Sequence, residues 1–440
     1  MLTHRTGNLL RILPAGPLAG SVELPGSKSV ANRALVCAAL ADGTSTLTRV
    51  GDARDIAVMV EGLRALGVRI EQPEPATLVV HGCGGFVPAE IATIDAADAG
   101  TVMRFLTAVA ALGYGHYHLD GSARMRQRPI GQLVDALRSL GAGIGYARDE
   151  GFPPLDVVSR GLTGGKVRFD RPASSQFVSA VLMVAPYAAQ DVMVRVDGGL
   201  PSRPYVEMTI AIMRRFGVET IAGELDRFVV PAHQRYEARE LAIEPDASAA
   251  TYFWAAAAVT GGSVEVRGLS PESLQGDVGF ADVLAKMGCE VEQTPAGLRV
   301  ARDPQQRLRG IEVDLGDMPD TVQTLAAVAV FAEGPTVIRN VANLAIKETD
   351  RLAALERELT KLGARVRRLD DGLRIEPPAH VLPATIETYN DHRMAMSFAI
   401  AGLGVGGIVL RDPDCVAKSF PRFFETLETL RPRHPRENDA

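Results

Sequence analysis

Apolar and polar positions keep time with one another along the whole chain. Five segments share one pattern of apolar, two unconstrained residues, apolar, glycine: Leu63–Gly67, Leu137–Gly141, Met213–Gly217, Leu284–Gly288 and Leu359–Gly363. Their glycines are 74, 76, 71 and 75 residues apart, and each stands where a helix ends and positive φ is wanted. A second series places Gly43, Gly115, Asp191, Gly262, Gly334 and Gly407 before β-rich runs such as TSTLTRV and VMVRVDG, at steps of 72, 76, 71, 72 and 73. A third sets Ser27, Asp98, Ser174, Asp246, Asp320 and Asn390 before alanine-rich apolar stretches, at steps of 71, 76, 72, 74 and 70. Ser, Asp and Asn are preferred helix N-caps.

Three series in phase predict six repeats of about 73 residues, each reading helix, strand, helix, strand and a further strand before the next cap. A unit of that size with two amphipathic helices cannot close its own core. The expected class is therefore α/β, with the repeats in two groups of three: two similar α/β domains with a cleft between them. Phase places three units in an N-terminal-type domain over residues 25–245, and three in a C-terminal-type domain over 246–440.

Composition narrows the chemistry. Of 440 residues, 46% are apolar and 23% charged, which is ordinary globular usage and excludes long-range disorder. A net charge of −6 is wrong for nucleic-acid binding, so an anionic ligand must meet a local cluster of cations. Cys37, Cys83, Cys289 and Cys415 show no C-x-x-C or Cys/His spacing; neither a disulfide framework nor a metal site is expected, and a reducing cytoplasm is. The longest uncharged stretches, 173–190 and 394–410, are broken by Ser, Gln, Pro or Gly, so neither a membrane span nor a secretion signal is expected.

Helix N-termini carry unsatisfied N–H groups and about half a positive charge. Equivalent helix starts arranged around a pseudo-threefold axis would point one way and make an anion-attracting face. In order they read GSKSVANR (26–33), DAGTVMR (98–104), SSQF (174–177), PDASAA (245–250), MPDT (318–321) and YNDHRMA (389–395). The first is not a Walker A loop, because Ser27 rather than glycine precedes Lys28. Lys28 and Arg33 are nonetheless close enough along a helix start to hold an anion together. KETDR (347–351) would set Lys347 and Arg351 on one helical face, and the arginines of RMRQRP (124–129) suit an extended loop. In NDHR, Asn390 or Asp391 can cap a helix from whose positive end His392 and Arg393 project.

Laid out in order, LPGSKSVANRAL, AGTVMR, RMRQRPI, SSQF, IKETDRL, YNDHRMAM and the tail Lys418-Ser-Phe-Pro resemble the 5-enolpyruvylshikimate-3-phosphate synthase family over nearly the full length. The resemblance implies an α/β fold of two similar inside-out α/β barrel domains, each of three repeated βαβαββ-type units, and transfer of the enolpyruvyl group from phosphoenolpyruvate to the 5-hydroxyl of shikimate 3-phosphate, without metal or organic cofactor. It implies a cytoplasmic monomer with no nucleic-acid or membrane partner. It also implies that an N-terminal strand, about residues 8–20, returns to the C-terminal domain, so that 1–24 joins 246–440 and the chain crosses near 24 and 245. Shikimate 3-phosphate would be held by Lys28, Ser29, Arg33, Ser174, Ser175, Gln176, Ser202, Tyr205, Asp320, Asn343 and Lys347. Phosphoenolpyruvate would meet Lys28, Asp98, Gly100, Arg128, Gln176, Arg351, Arg393 and Lys418. Glu348 fits the acid and Asp320 the base, with Lys28 a second proton carrier and His392 an orienting group.

Three departures from the family pattern stand out. Asp98 replaces the usual Asn, Phe105 a common Pro, and Leu344-Ala345 the usual Trp-Arg pair. The first two flank the helix start facing phosphoenolpyruvate, and are expected to weaken its longer mimic glyphosate more than the substrate. The related sugar-nucleotide enolpyruvyl transferases use a Lys-Asn pair and a loop cysteine; here Ser29 follows Lys28 and residues 113–128 hold no cysteine.

Overall fold

Stretches that are apolar on every side form helices only where they can be buried all round, and the alanine-rich stretches do so. The structure is a computed structural model that describes residues 2–223 and 226–430. Every residue of the helix Gly100–Leu112 is buried, as are most residues of Lys28–Leu40, Ser175–Val184, Ala247–Thr260, Val322–Ala329 and His392–Gly404. The other main helices bury one stripe only: Arg54–Ala65 hides Asp55, Ile56, Met59, Val60, Gly62 and Leu63, the spacing of a helix lying on a core.

The helix-ending glycines are all left-handed, with φ of 91° at Gly67, 100° at Gly141, 88° at Gly217, 107° at Gly288 and 90° at Gly363. At the first of these, Gly67 N donates to Arg64 O at 2.9 Å and Val68 N to Leu63 O at 3.1 Å, satisfying carbonyls the helix leaves over. The N-cap series is less uniform. Ser27, Ser174, Asp246 and Asp391 cap through their side chains. Asp98 and Asp320 do not: Ala99 precedes the first helix, and Asp320 lies in the 3-10 turn Pro319–Thr321. Their carboxylates are taken by Ser122 in one case and by two arginines in the other. Asn390, at φ 53°, is too left-handed for an N-cap and yields to Asp391.

Among the described residues there are six four-stranded sheets of one design, a parallel pair followed by two antiparallel strands. In one, Ile91–Asp95 runs parallel to Tyr114–Asp120, which pairs antiparallel with Leu155–Arg160, and that with Gly143–Tyr146. The chain divides into two compact units, Met1–Leu24 with Pro245–Ala440, and Pro25–Glu244, each with three such sheets and three of the buried helices. The N-terminal stretch is not one strand over 8–20. Leu9–Ile12 pairs with Ile408–Arg411, whereas Ala19–Val22 runs parallel to Ser263–Arg267 in another sheet. Pro14 and Pro17 lie between them, where a ladder needs N–H donors that proline lacks. Glu240–Ala242 supplies the matching parallel strand to Thr44–Thr48 in the other unit. No helix among the described residues is long and apolar enough to cross a membrane.

In the unit that holds both chain ends, the three buried helices touch through hydroxyls in step with the repeat. Thr251 Oγ1 is 3.2 Å from Thr324 Oγ1, which is 3.5 Å from Ser397 Oγ. Small hydroxylated residues let helix backbones approach closely while each hydroxyl keeps a partner.

A Cβ at Gly67 would lie 2.9 Å from Pro88 Cβ in a left-handed backbone, whereas at Gly334 (φ 87°) it would meet nothing within 4 Å. Gly67→Ala should therefore lose about 1–3 kcal/mol, and Gly334→Ala only the conformational part, about 1 kcal/mol. Thermal unfolding of both variants checks the order; equal losses would mean that the Pro88 contact relaxes freely.

Candidate functional site

A guanidinium cannot lose its water without compensation, and Arg351 is 1% exposed. It opens the helix Arg351–Lys361, capped by Asp350. Its compensation is three carboxylates. Nε donates to Asp391 Oδ2 at 2.7 Å, Nη1 to Asp320 Oδ1 at 2.9 Å and Nη2 to Glu348 Oε2 at 2.9 Å. Burial opposes the charge on Arg351, but Asp391, Glu348 and Asp320 outweigh it and raise its pKa above the ordinary value.

Each carboxylate has a second task. Asp320 Oδ2 accepts from Arg393 Nη2 at 2.8 Å, and Arg393 Nη1 is 3.4 Å from the Tyr252 hydroxyl. Glu348 Oε1 lies 3.7 Å from Lys418 Nζ. Asp391 caps the helix His392–Gly404 by accepting from Arg393 N at 2.9 Å, and its Oδ1 is 3.6 Å from His392 Nδ1. Burial alone would push the Asp320 carboxyl up; Arg393, Lys347 and Arg351 overcome this and hold it well below the usual carboxylate range. Beside it, Asp277 accepts from Ser248, and burial, reinforced by the charge of Asp320, pushes its carboxyl up to about 6. The structure thus brings Asp320, Glu348, Arg351, His392, Arg393 and Lys418 into one neighbourhood, with Lys347 acting on Asp320. Lys347 and Arg351 do not share a helical face: Lys347 is extended after the 3-10 turn Ala342–Ile346, which carries Asn343, and the helix begins only at Arg351.

The unit Pro25–Glu244 holds the remaining candidates. Lys28 Nζ is 2.9 Å from Asp55 Oδ2, with little of either side chain exposed. Arg33 is buried and donates from Nε to Thr209 Oγ1 (2.7 Å), from Nη1 to Ser29 O (2.9 Å) and from Nη2 to Tyr205 O (3.1 Å). Its guanidinium stacks on Phe105 and Tyr205, 5.3 and 5.8 Å from the ring centroids. Burial lowers its pKa to about 10. These hydrogen bonds take three of the five N–H groups of the Arg33 guanidinium. Ser174 caps the helix that begins Ser175-Gln176, accepting from Gln176 N at 3.2 Å. Ser202 is left-handed at φ 52° and buried, just before the helix Pro204–Arg215 that carries Tyr205.

The three arginines of RMRQRP part company, because the segment forms a 3-10 turn at Met125–Gln127 instead of the extended loop expected. Arg124 donates to Gln127, Arg126 grips Asp120 at 2.6 Å, and only Arg128 is buried, its Nη1 reaching Asp98 O at 3.2 Å. Any Cβ at Gly100 would sit 2.7 Å from Arg128 Nη2, so this glycine makes room for the guanidinium at a helix N-terminus. The Asp98 carboxylate accepts from Ser122.

Asp55, Tyr252 and Asp277 escaped the sequence reading. For Asp55 a signal existed, a carboxylate on the otherwise apolar stripe of Arg54–Ala65; Asp277 is joined to Ser248 across 29 residues and has no local signature.

The chain matches the family model described as EPSP synthase (3-phosphoshikimate 1-carboxyvinyltransferase) over residues 12–427. A Shewanella baltica protein named 3-phosphoshikimate 1-carboxyvinyltransferase is 46% identical over 424 residues, covering 96% of this chain and 99% of that one. A Nostoc protein of the same name is 46% identical over 409 residues, covering 93% and 96%. The solved structure of EPSP synthase from Acinetobacter baumannii superposes with a TM-score of 0.79 at 27% identity, covering 96% of this chain and 98% of that one.

A raised carboxyl costs stability as pH climbs. Below about pH 4 both folded and unfolded Asp277 are protonated; between there and pH 6 only the unfolded form ionises freely, and above pH 6 the folded form carries the full penalty. Asp277→Asn should therefore raise the melting temperature at pH 7.5, by up to about 3 kcal/mol of stability, and the gain should shrink steadily from pH 6 toward pH 4. Thermal scans across that range measure it; a gain independent of pH would contradict the assignment.

Proposed function

Since the chain belongs to the EPSP synthase (3-phosphoshikimate 1-carboxyvinyltransferase) family, we propose that it transfers the enolpyruvyl group of phosphoenolpyruvate to the 5-hydroxyl of shikimate 3-phosphate and releases phosphate. The observation that carries this reading is that one buried guanidinium, Arg351, holds both Asp320 and Glu348 at 2.9 Å. An addition to an enol phosphate needs an acid and a base held in fixed relation. Protonation of the methylene carbon makes the neighbouring carbon electrophilic; the 5-oxygen adds there as its proton leaves. Loss of a methyl proton and of phosphate then restores the double bond.

Asp320 is the base. Its proton affinity is low while Arg351 and Arg393 both hold it, and rises when the anionic substrate draws those cations to itself. Glu348, between Arg351 and Lys418, is the acid under the same condition, with Lys28 as the alternative proton carrier. Arg351, Arg393, Lys418, Arg128 and Lys28 bind phosphoenolpyruvate with Asp98, Gly100 and Gln176. Ser29, Arg33, Ser174, Ser175, Gln176, Ser202, Tyr205, Asn343, Lys347, Lys28 and Asp320 serve shikimate 3-phosphate. His392, buried beside Asp391, orients Glu348 or phosphate and is not a nucleophile.

Each unit is read as an inside-out barrel of three βαβαββ repeats, helices inward and sheets outward. Support comes from its three buried helices and three sheets of one design. We read the protein as a monomer of the cytoplasm, where its four free cysteines would stay reduced.

Phosphate release should need both substrates together, and Asp320→Asn should lower kcat by about a hundredfold or more; release with phosphoenolpyruvate alone, or an unaffected variant, would defeat the reading. Asp98→Asn should strengthen inhibition by glyphosate relative to the KM for phosphoenolpyruvate, by about tenfold if one charge-assisted contact is restored. Phe105→Pro is no clean companion test, because it also removes the ring on which Arg33 stacks.

A further inference from the structure

The helix Arg351–Lys361 carries two buried charged groups on its apolar stripe, Arg351 and Glu358. Seven residues apart, they lie on one face about 10 Å from each other. Arg351 belongs to the site described above; Glu358, 0% exposed, has no part in it. A fully buried carboxylate must be satisfied by specific partners; one of those of Glu358 is on its own helix, and the other two belong to a single segment. Its Oε2 accepts from the backbone N of Glu387 at 3.1 Å and from Lys361 Nζ at 2.6 Å, and its Oε1 accepts from the Tyr389 hydroxyl at 2.7 Å.

That segment leads into the site. Glu387 ends a strand, Tyr389 and Asn390 follow with φ of 55° and 53°, and Asp391, His392 and Arg393 come directly after. Two successive non-glycine residues in the left-handed region persist only where their surroundings hold them, and a bulky residue such as Tyr389 is the less suited of the two. The surroundings are identifiable. Thr388 Oγ1 donates to Arg411 O at 2.9 Å, Asp391 N donates to Thr388 O at 2.8 Å, and Glu358 fixes the residues on either side of Thr388. One helix therefore grips the turn at both ends: Arg351 holds Asp391, and Glu358 holds Glu387 and Tyr389. Burial, and then Glu358, push the Tyr389 phenol up to about 12, so it remains a donor across the working pH range.

We infer that Glu358 is a positioning residue for the reaction: through Tyr389 it holds the left-handed turn that aims Arg393 at phosphoenolpyruvate. The inference rests on the functional reading given above and adds to it a group that touches neither substrate. Because the turn ends at Arg393, its loosening falls on the phosphoenolpyruvate side and spares shikimate 3-phosphate.

The experiment is steady-state kinetics of the full-length protein by phosphate release, varying each substrate in turn, with melting temperatures measured beside it. Glu358→Gln keeps the shape and one acceptor oxygen but loses the second, and should raise the KM for phosphoenolpyruvate by about tenfold, leaving kcat within about threefold and the KM for shikimate 3-phosphate unchanged. Tyr389→Phe removes one hydroxyl, leaves Glu358 its other partners, and should move the same constant the same way by about threefold. The second variant keeps the test alive if the first folds poorly. If both Michaelis constants rise together, or if melting temperature falls while the KM for phosphoenolpyruvate stays at its wild-type value, Glu358 is structural only and the inference fails. A wild type that releases no phosphate from the two substrates overturns the functional reading, and this inference with it.

Discussion

The buried guanidinium of Arg351 is the constraint around which its unit is arranged. Removing such a group from water costs several kcal/mol, recovered only if carboxylates arrive from different parts of the chain with good geometry. Asp391 comes from the start of one buried helix, Asp320 from the turn before another, and Glu348 from the irregular stretch just ahead of Arg351. The same demand explains why Asp320 does not cap its helix as Asp246 does: its two oxygens are divided between Arg351 and Arg393. A network of this kind contributes little net stability for what it costs. What it does is hold two carboxylates, Asp320 and Glu348, in one fixed relation beside cations that bear on the proton affinity of both.

The other unit treats its buried cation differently. Arg33 meets hydroxyl and carbonyl oxygens and two aromatic faces, and no carboxylate is among the partners described for it. Neutral partners do not cancel desolvation, which is why the pKa of Arg33 falls while that of Arg351 rises. Arg33 ties the helix Lys28–Leu40 to Pro204–Arg215. Arg128, seated over Gly100, combines a guanidinium with a helix N-terminus, the two elementary devices for holding an anion.

Much of this was legible in the residues because the signals are local. The left-handed glycines that close five helices, the caps at Ser27, Ser174 and Asp246, and the full burial of the alanine-rich stretches follow from steric and hydrogen-bonding rules acting over a few residues. Where the local rule failed, a distant partner had prevailed. Asp98 turned to Ser122 instead of capping, KETDR broke its helical phase because Lys347 remains extended, and the RMRQRP arginines were separated by Asp120 and by a 3-10 turn.

The chain by itself determined the repeat, the element types and the set of titratable groups, since period, cap and composition act within one repeat of about 73 residues. Only the tertiary structure decided which of those groups meet. Lys28 and Asp55 stand 27 residues apart, Arg351 and Asp391 40, Arg393 and Tyr252 141. No local rule couples such positions; they are joined because burying a charge costs more than ordering the chain that brings its partner. The same holds for the N-terminal strands. The resemblance put one strand over about residues 8–20, yet Leu9–Ile12 and Ala19–Val22 pair in different sheets, each with a strand from the far end of the chain or its middle that no local rule names.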